Sequence, residues 1–168
     1  MSYSIDQFSK ITGINKLLLR TWENRYNFLT PERTESKIRF YSDELLIKAL
    51  NAKLLIDNGY KISLVSKKTD HEIENLLNEL IKQENEDSFC NVCVNNFVKA
   101  ALKFDTKIFN ATYYNASNKF KAIEFYKKIM LPTFKKIGLF WLTNKMNPAQ
   151  EHFLSEMFKQ KIYSQINT

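Results

Sequence analysis

The chain has 168 residues, 44% of them hydrophobic, with 13 Phe and 8 Tyr. It can therefore build packed cores in one or two small domains, and broad disorder is excluded. Only 3 Gly and 3 Pro occur, too few turn residues for a strand-rich sandwich or a doubly wound sheet, so helices are expected. The formal net charge is +7, with 12 Lys and Arg against 10 Asp and Glu up to residue 75 and 13 against 8 after it, so net charge does not locate a nucleic-acid face.

Ser4 is a suitable N-cap for a first helix with Ile5, Phe8 and Ile11 on one face, and Gly13 ends it. A second helix is expected from Asn15 through Arg25. Two helices joined by a short Gly-containing turn form the helix-turn-helix pattern. Residues 26–41, with Pro31, Arg33, Thr34, Lys37, Arg39, Phe40 and Tyr41, are too polar and broken for a helix. Two short strands around a tip at Glu35-Ser36-Lys37 would make a basic wing.

Ser42-Asp43-Glu44 caps a third helix that runs through Asn58 to Gly59, with Leu45, Leu46, Ala49, Leu50 and Leu54 as its apolar stripe. A short helix follows over 61–67. Thr69-Asp70 then caps a helix carrying Ile73, Leu76, Leu77, Leu80 and Ile81. The run Gln83 to Asp87 is linker-like. Helical segments are expected at about 88–103, 105–117, 118–143 and 148–166, with Asp105 and Asn147 as N-caps and Pro148 at the favoured first position. Pro132 should kink or divide the third of them. The expected fold is mainly α: a winged helix-turn-helix domain over 1–75, then a four-helix bundle over 76–168.

There is no run of about 18 apolar residues to span a membrane, and no basic-then-apolar secretory start, so a cytoplasmic protein is expected. Cys90 and Cys93 lack a second ligand pair for zinc and are read as two small hydrophobes on one helical face; no metal is expected.

The string Leu19-Arg20-Thr21-Trp22-Glu23-Asn24-Arg25-Tyr26 is followed by Pro31-Glu32-Arg33-Thr34 and Ile38-Arg39-Phe40-Tyr41-Ser42-Asp43. Together they resemble the MerR family of transcription regulators, and most closely its CarH/LitR-like branch, in which a DNA-binding domain precedes a cobalamin sensor. The resemblance covers about residues 3–70. It implies double-stranded DNA as partner, a homo-oligomer (a dimer or higher) on a two-fold operator, and Asn15, Lys16, Arg20, Arg25, Tyr26, Arg33, Lys37, Arg39 and Tyr41 as the DNA-binding set.

The residue chemistry suits those roles. Asn15, Lys16 and Arg20 lie on the leading face of the second helix, and Arg20 can fork onto a phosphate or a guanine edge. Arg33 and Arg39 flank the wing, where a guanidinium can enter a narrow minor groove. Tyr26 and Tyr41 can donate hydroxyls to phosphate. The alternative for the basic residues is a solvated surface charge. Trp22 is expected to pack beneath the wing, and Glu23 to pair with a nearby Arg rather than read a base. The chain departs from the family where Leu17 and Leu18 replace polar groove-facing residues, where Asn27 replaces a common Gly, and where Ser36-Lys37 replaces the Gly pair of the wing tip.

Further on, Leu131-Pro132, Gly138, Trp141, Glu151 and His152 are spaced as L-P-x5-G-x2-W-x9-E-H. This resembles the helical cap that precedes cobalamin-binding domains, as in methionine synthase and the CarH-type repressors. The resemblance implies that Trp141, Glu151 and His152 surround the upper axial group of the cofactor. Read without it, Trp141 is a core residue and Glu151-His152 a capped helix start. The lower-ligand motif D-x-H-x-x-G does not occur in these residues, so no cofactor is expected to be held by this chain, and adenosylcobalamin only if a further C-terminal domain exists. Leu142 stands where the light sensors have a His, which argues against the same photochemistry.

The reading is a DNA-binding transcriptional regulator, a repressor by the branch it resembles, with the bundle as a sensor or oligomerisation domain. The alternative is a cobalamin or other small-ligand binding protein in which the bundle is the main unit. No nucleophile triad, phosphate loop or metal cluster supports an enzyme.

Overall fold

The computed structural model describes residues 1–83, 85–145 and 147–166, with side chains to residue 164. It divides into two compact units, Met1–Val92 and Cys93–Thr168.

In the first unit, β1 (Ser2–Ser4) leads directly into α1 (Ile5–Thr12). Ser4 and Gln7 form a reciprocal capping box, and Gly13 closes α1 in the left-handed conformation at φ 71°. α2 (Lys16–Tyr26) begins on the Asn15 side chain, which accepts from Leu18 N at 2.8 Å. Asn27 ends α2 at φ 49°, so it takes the left-handed turn as a glycine would. The wing follows as β2 (Glu32–Arg33) and β3 (Arg39–Ser42), with its tip at Glu35-Ser36.

β1 was not expected, and it completes a three-stranded antiparallel sheet in the order β1-β3-β2, with Tyr3 opposite Tyr41 and Arg33 opposite Arg39. Three residues carry no strand period that a sequence can display; β1 exists because β3 offers it an unpaired edge. The hydroxyl of Tyr3 donates to Asp43 Oδ1 at 2.6 Å, tying the strand to the start of α3 (Asp43–Asp57).

Phe8, Ile11, Ile14, Leu19, Trp22, Leu46, Leu50 and Leu55 fill the core of this unit. After the short α4 (Ile62–Val65) comes α5 (Asp70–Lys82), capped by a Thr69–Glu72 box and packed on α3. The expected boundary at 75 falls within α5 itself. α5 buries Ile73, Leu77 and Leu80 and belongs with the first unit, and the division falls inside α6 (Glu86–Lys103). Cys90 and Cys93 are buried on α6, as expected of small hydrophobes.

The second unit holds the rest of α6, α7 (Thr106–Lys119), α8 (Ala122–Phe125), α9 (Leu131–Leu142) and α10 (Pro148–Ile166). Asp105 caps α7, and Asn147 Oδ1 accepts from Ala149 N at the start of α10. A π-helical turn at Tyr126–Met130 joins α8 to α9 immediately before Pro132. The proline therefore divides the segment as expected without breaking its helical run, because a wider turn relieves the crowding its ring creates one turn back. The core is aromatic: the Phe158 ring lies 4.8 Å from Phe97 and 4.9 Å from Phe109, and all three are buried. Edge and tilted contacts at such distances add to plain area burial. Among the described residues no helix is long and apolar enough to cross a membrane.

Candidate nucleic-acid interface and bundle site

α2 is amphipathic in a way that separates support from contact. Leu19, Trp22 and Glu23 are buried, while Lys16, Leu17, Leu18, Arg20, Thr21, Asn24 and Arg25 are exposed. Trp22 packs inward beside Phe28, with ring centroids 6.1 Å apart, so it is a supporting residue.

The linchpin is Glu23. Burial pushes its carboxyl up, but hydrogen bonds and charge from Arg39 and Arg33 outweigh that and hold it below its ordinary range. Arg39 Nε donates to Glu23 Oε2 at 2.7 Å, and Arg33 donates to Glu23 Oε1. One carboxylate thus links the helix to both strands of the wing. The expectation that Glu23 pairs with an Arg rather than reading a base accords with this geometry, and it pairs with two.

The nine candidate DNA-binding residues fall into distinct settings. Arg20 is exposed, and no carboxylate pairs with it among the described residues. Arg25 is exposed and lies over the ring of Tyr26 at 5.5 Å, with Tyr26 itself half-buried. Lys37 is exposed at the wing, with φ 61°. Its amide donates to Thr34 O at 2.8 Å, closing the tip in place of the family's Gly pair.

Lys16 reaches Asp6 Oδ1 at 2.6 Å, an exposed pair that a phosphate could displace at small cost. Asn15 spends its carboxamide oxygen on the cap of α2, so its first task is to start the helix. Arg33 and Arg39 are engaged by Glu23, which orients them and leaves part of each guanidinium accessible.

Tyr41 corrects the expectation of a phosphate donor. It is 1% exposed, stacked on Phe8 with centroids 4.2 Å apart, and its buried hydroxyl has no hydrogen-bond partner. Tyr41 lies on the same face of β3 as Arg39, two residues earlier; Phe8 covers Tyr41, whereas Arg39 is only part-buried and pairs with Glu23. Burial and the nearby Glu23 charge push its phenol up, with Arg39, Arg20 and Arg33 acting the other way.

In the second unit, Gln150 turns inward and donates to Leu102 O at 3.1 Å, which fixes the first turn of α10. The next two residues turn away from the core: Glu151 is part-buried, and the His152 side chain is 72% exposed with Nδ1 3.9 Å from Glu151 Oε2. Trp141 is 46% exposed near the end of α9, one short connection before α10, so it is not a core residue. Leu142 beside it is exposed as well. Among the described residues no group of His, Cys, Asp and Glu could hold a metal ion.

Two family models match the chain. Residues 3–72 match the MerR HTH family regulatory protein model, and residues 93–164 match the B12 binding domain model. The chain is 24% identical over 166 residues to the HTH-type transcriptional repressor CarH of Myxococcus xanthus, a match covering 97% of this chain and 56% of that protein. It is 35% identical over 63 residues to the HTH-type transcriptional regulator MlrA of Escherichia coli strain K12 and of Salmonella typhimurium, covering 38% of this chain and 26% of those proteins. The chain thus spans about half the length of the first of these relatives and a quarter of the others. Residues 3–72, with the exposed basic helix and the wing clasped to it, thus form a domain of the MerR HTH family, and residues 93–164 match a domain of the B12-binding type.

Proposed function

We propose that this protein is a transcriptional regulator whose first unit binds double-stranded DNA, with α2 in the major groove and the wing along the flanking backbone. The observation that carries this reading is the Glu23 clasp: it presents Arg33 and Arg39 from the wing in fixed relation to the exposed Arg20 of α2. Such preorganisation lowers the ordering cost of binding. MerR-family regulators bind DNA as oligomers, and one wing with one helix offers few phosphate contacts. A two-fold dimer on a symmetric operator would double them, and this chain is read as such a dimer. Repression is the direction borne by the relative matched along nearly the whole chain.

A mobility shift on the DNA upstream of the protein's own gene tests the reading. Wild type is expected to retard the duplex and Arg20→Ala to fail at the same concentration. Equal retardation by both would place the DNA face elsewhere.

The second unit has a reading of its own, favoured by the exposed Trp141 indole. There Trp141, Glu151 and His152 would cover a bound cobalamin, whose cobalt–carbon bond would supply the reactive chemistry. The indole would exclude water, and Glu151 with His152 would hydrogen-bond a ribose hydroxyl.

A further inference from the structure

Leu17 is 73% exposed and Leu18 is 41% exposed, on the second and third residues of α2. This is an unusual place for two unburied leucines. The N-terminal turns of a recognition helix are where side chains meet base edges. The neighbours define what could cover them. Leu17 shares a helical stripe with Arg20, Thr21 and Asn24 at spacings of three, four and seven, all exposed, and Lys16 precedes it. An apolar side chain ringed by cationic and hydrogen-bonding groups matches no apolar protein surface. It does match a major groove, where phosphates flank the thymine C5-methyl, the one apolar group on a base edge.

We propose that Leu17 and Leu18 read thymine methyl groups, so that the operator half-site is selected by apolar contact at these positions. The inference rests on the DNA-binding reading above. The mechanism is burial: each leucine sheds water only when a methyl replaces that water, and a base without a methyl leaves the side chain facing a polar edge. Alternative bases are thus rejected without any specific hydrogen bond. The Leu18 amide is committed to the Asn15 cap, which fixes its backbone position in the first turn of α2.

The experiment uses the full chain and a pair of duplexes of the upstream DNA, one natural and one with every thymine replaced by deoxyuridine. That replacement removes only the methyl groups. Wild type is expected to bind the deoxyuridine duplex about fourfold more weakly for each methyl contacted. Leu17→Ala with Leu18→Ala is expected to bind both duplexes alike, because alanine keeps the helix but reaches no methyl. Wild-type binding indifferent to the methyl groups overturns the proposal while leaving the DNA-binding reading intact. The proposal also falls if the double variant retains the methyl preference, or if it changes the oligomeric mass instead, in which case the leucines face protein. Failure of wild type to bind either duplex overturns both readings.

Discussion

Glu23 Oε2 and Arg39 Nε lie 2.7 Å apart, joining the buried side of α2 to the last strand of the wing. The pair ties two pieces of chain, sixteen residues apart, into one surface. Arg33 shares the same carboxylate. The first expectation follows from the sign of its titration. The folded carboxyl sits below its ordinary value of 4.5, so its contribution to stability is present above that pH and is lost as pH falls through the lowered folded value. Glu23→Gln should cost about 2 kcal/mol at neutral pH, by loss of charge-assisted hydrogen bonds. It should also flatten the acid limb of a stability-against-pH curve measured by denaturant unfolding.

Arg20 is exposed, and no carboxylate among the described residues pairs with it, so its loss should leave the fold intact. Arg20→Ala is expected to keep its melting temperature. The slope of log affinity against log salt should fall by about 0.9, the share of a single phosphate contact. An unchanged slope with weakened binding would instead mark Arg20 as a base reader.

Tyr41 carries a buried hydroxyl with no partner, and such a group is costly. Tyr41→Phe should leave stability equal or raise it by about 1 kcal/mol. DNA affinity should stay the same, since a residue stacked under Phe8 touches no phosphate. Reduced affinity at full stability would restore Tyr41 to the interface.

At the wing tip, Lys37 pays for a left-handed backbone, φ 61°, that a glycine adopts freely. Lys37→Gly should stabilise the first unit by roughly 0.5 kcal/mol, the net of relieved strain and greater unfolded-chain entropy. It should weaken DNA binding by one cation. Opposite signs in melting and in binding are the signature of a residue kept at the tip for its charge.

The 2 tryptophans differ in setting: Trp22 is buried and Trp141 is 46% exposed. Iodide should therefore quench one fraction of the fluorescence, and that fraction should vanish in Trp141→Phe. Gel filtration after mixing with adenosylcobalamin should leave the cofactor in the small-molecule volume, because the lower-ligand motif D-x-H-x-x-G does not occur in these residues. Comigration would show that the covering face grips the cofactor by itself.

Most elements of this protein are local in origin, and local physics is legible in a sequence. Ser4, Asn15, Ser42, Thr69 and Asp105 each cap the helix expected of them, because a cap needs only a hydroxyl, carboxamide or carboxylate next to the first turn. The wing was legible for the same reason, from Pro31 and the polar tip. What could not be read depended on partners distant in the chain. β1 forms because β3 presents an edge, and α5 joins the first unit because α3 offers it an apolar face. Tyr41 is buried because the fold brings Phe8 against its ring. For the DNA-binding surface, the sequence alone determined which basic residues are available and that a helix-turn-helix with a wing displays them. Tertiary structure decided how each of them is held. A charge's availability depends on what the fold brings next to it, and here Glu23 takes hold of Arg33 and Arg39 and leaves Arg20 facing solvent.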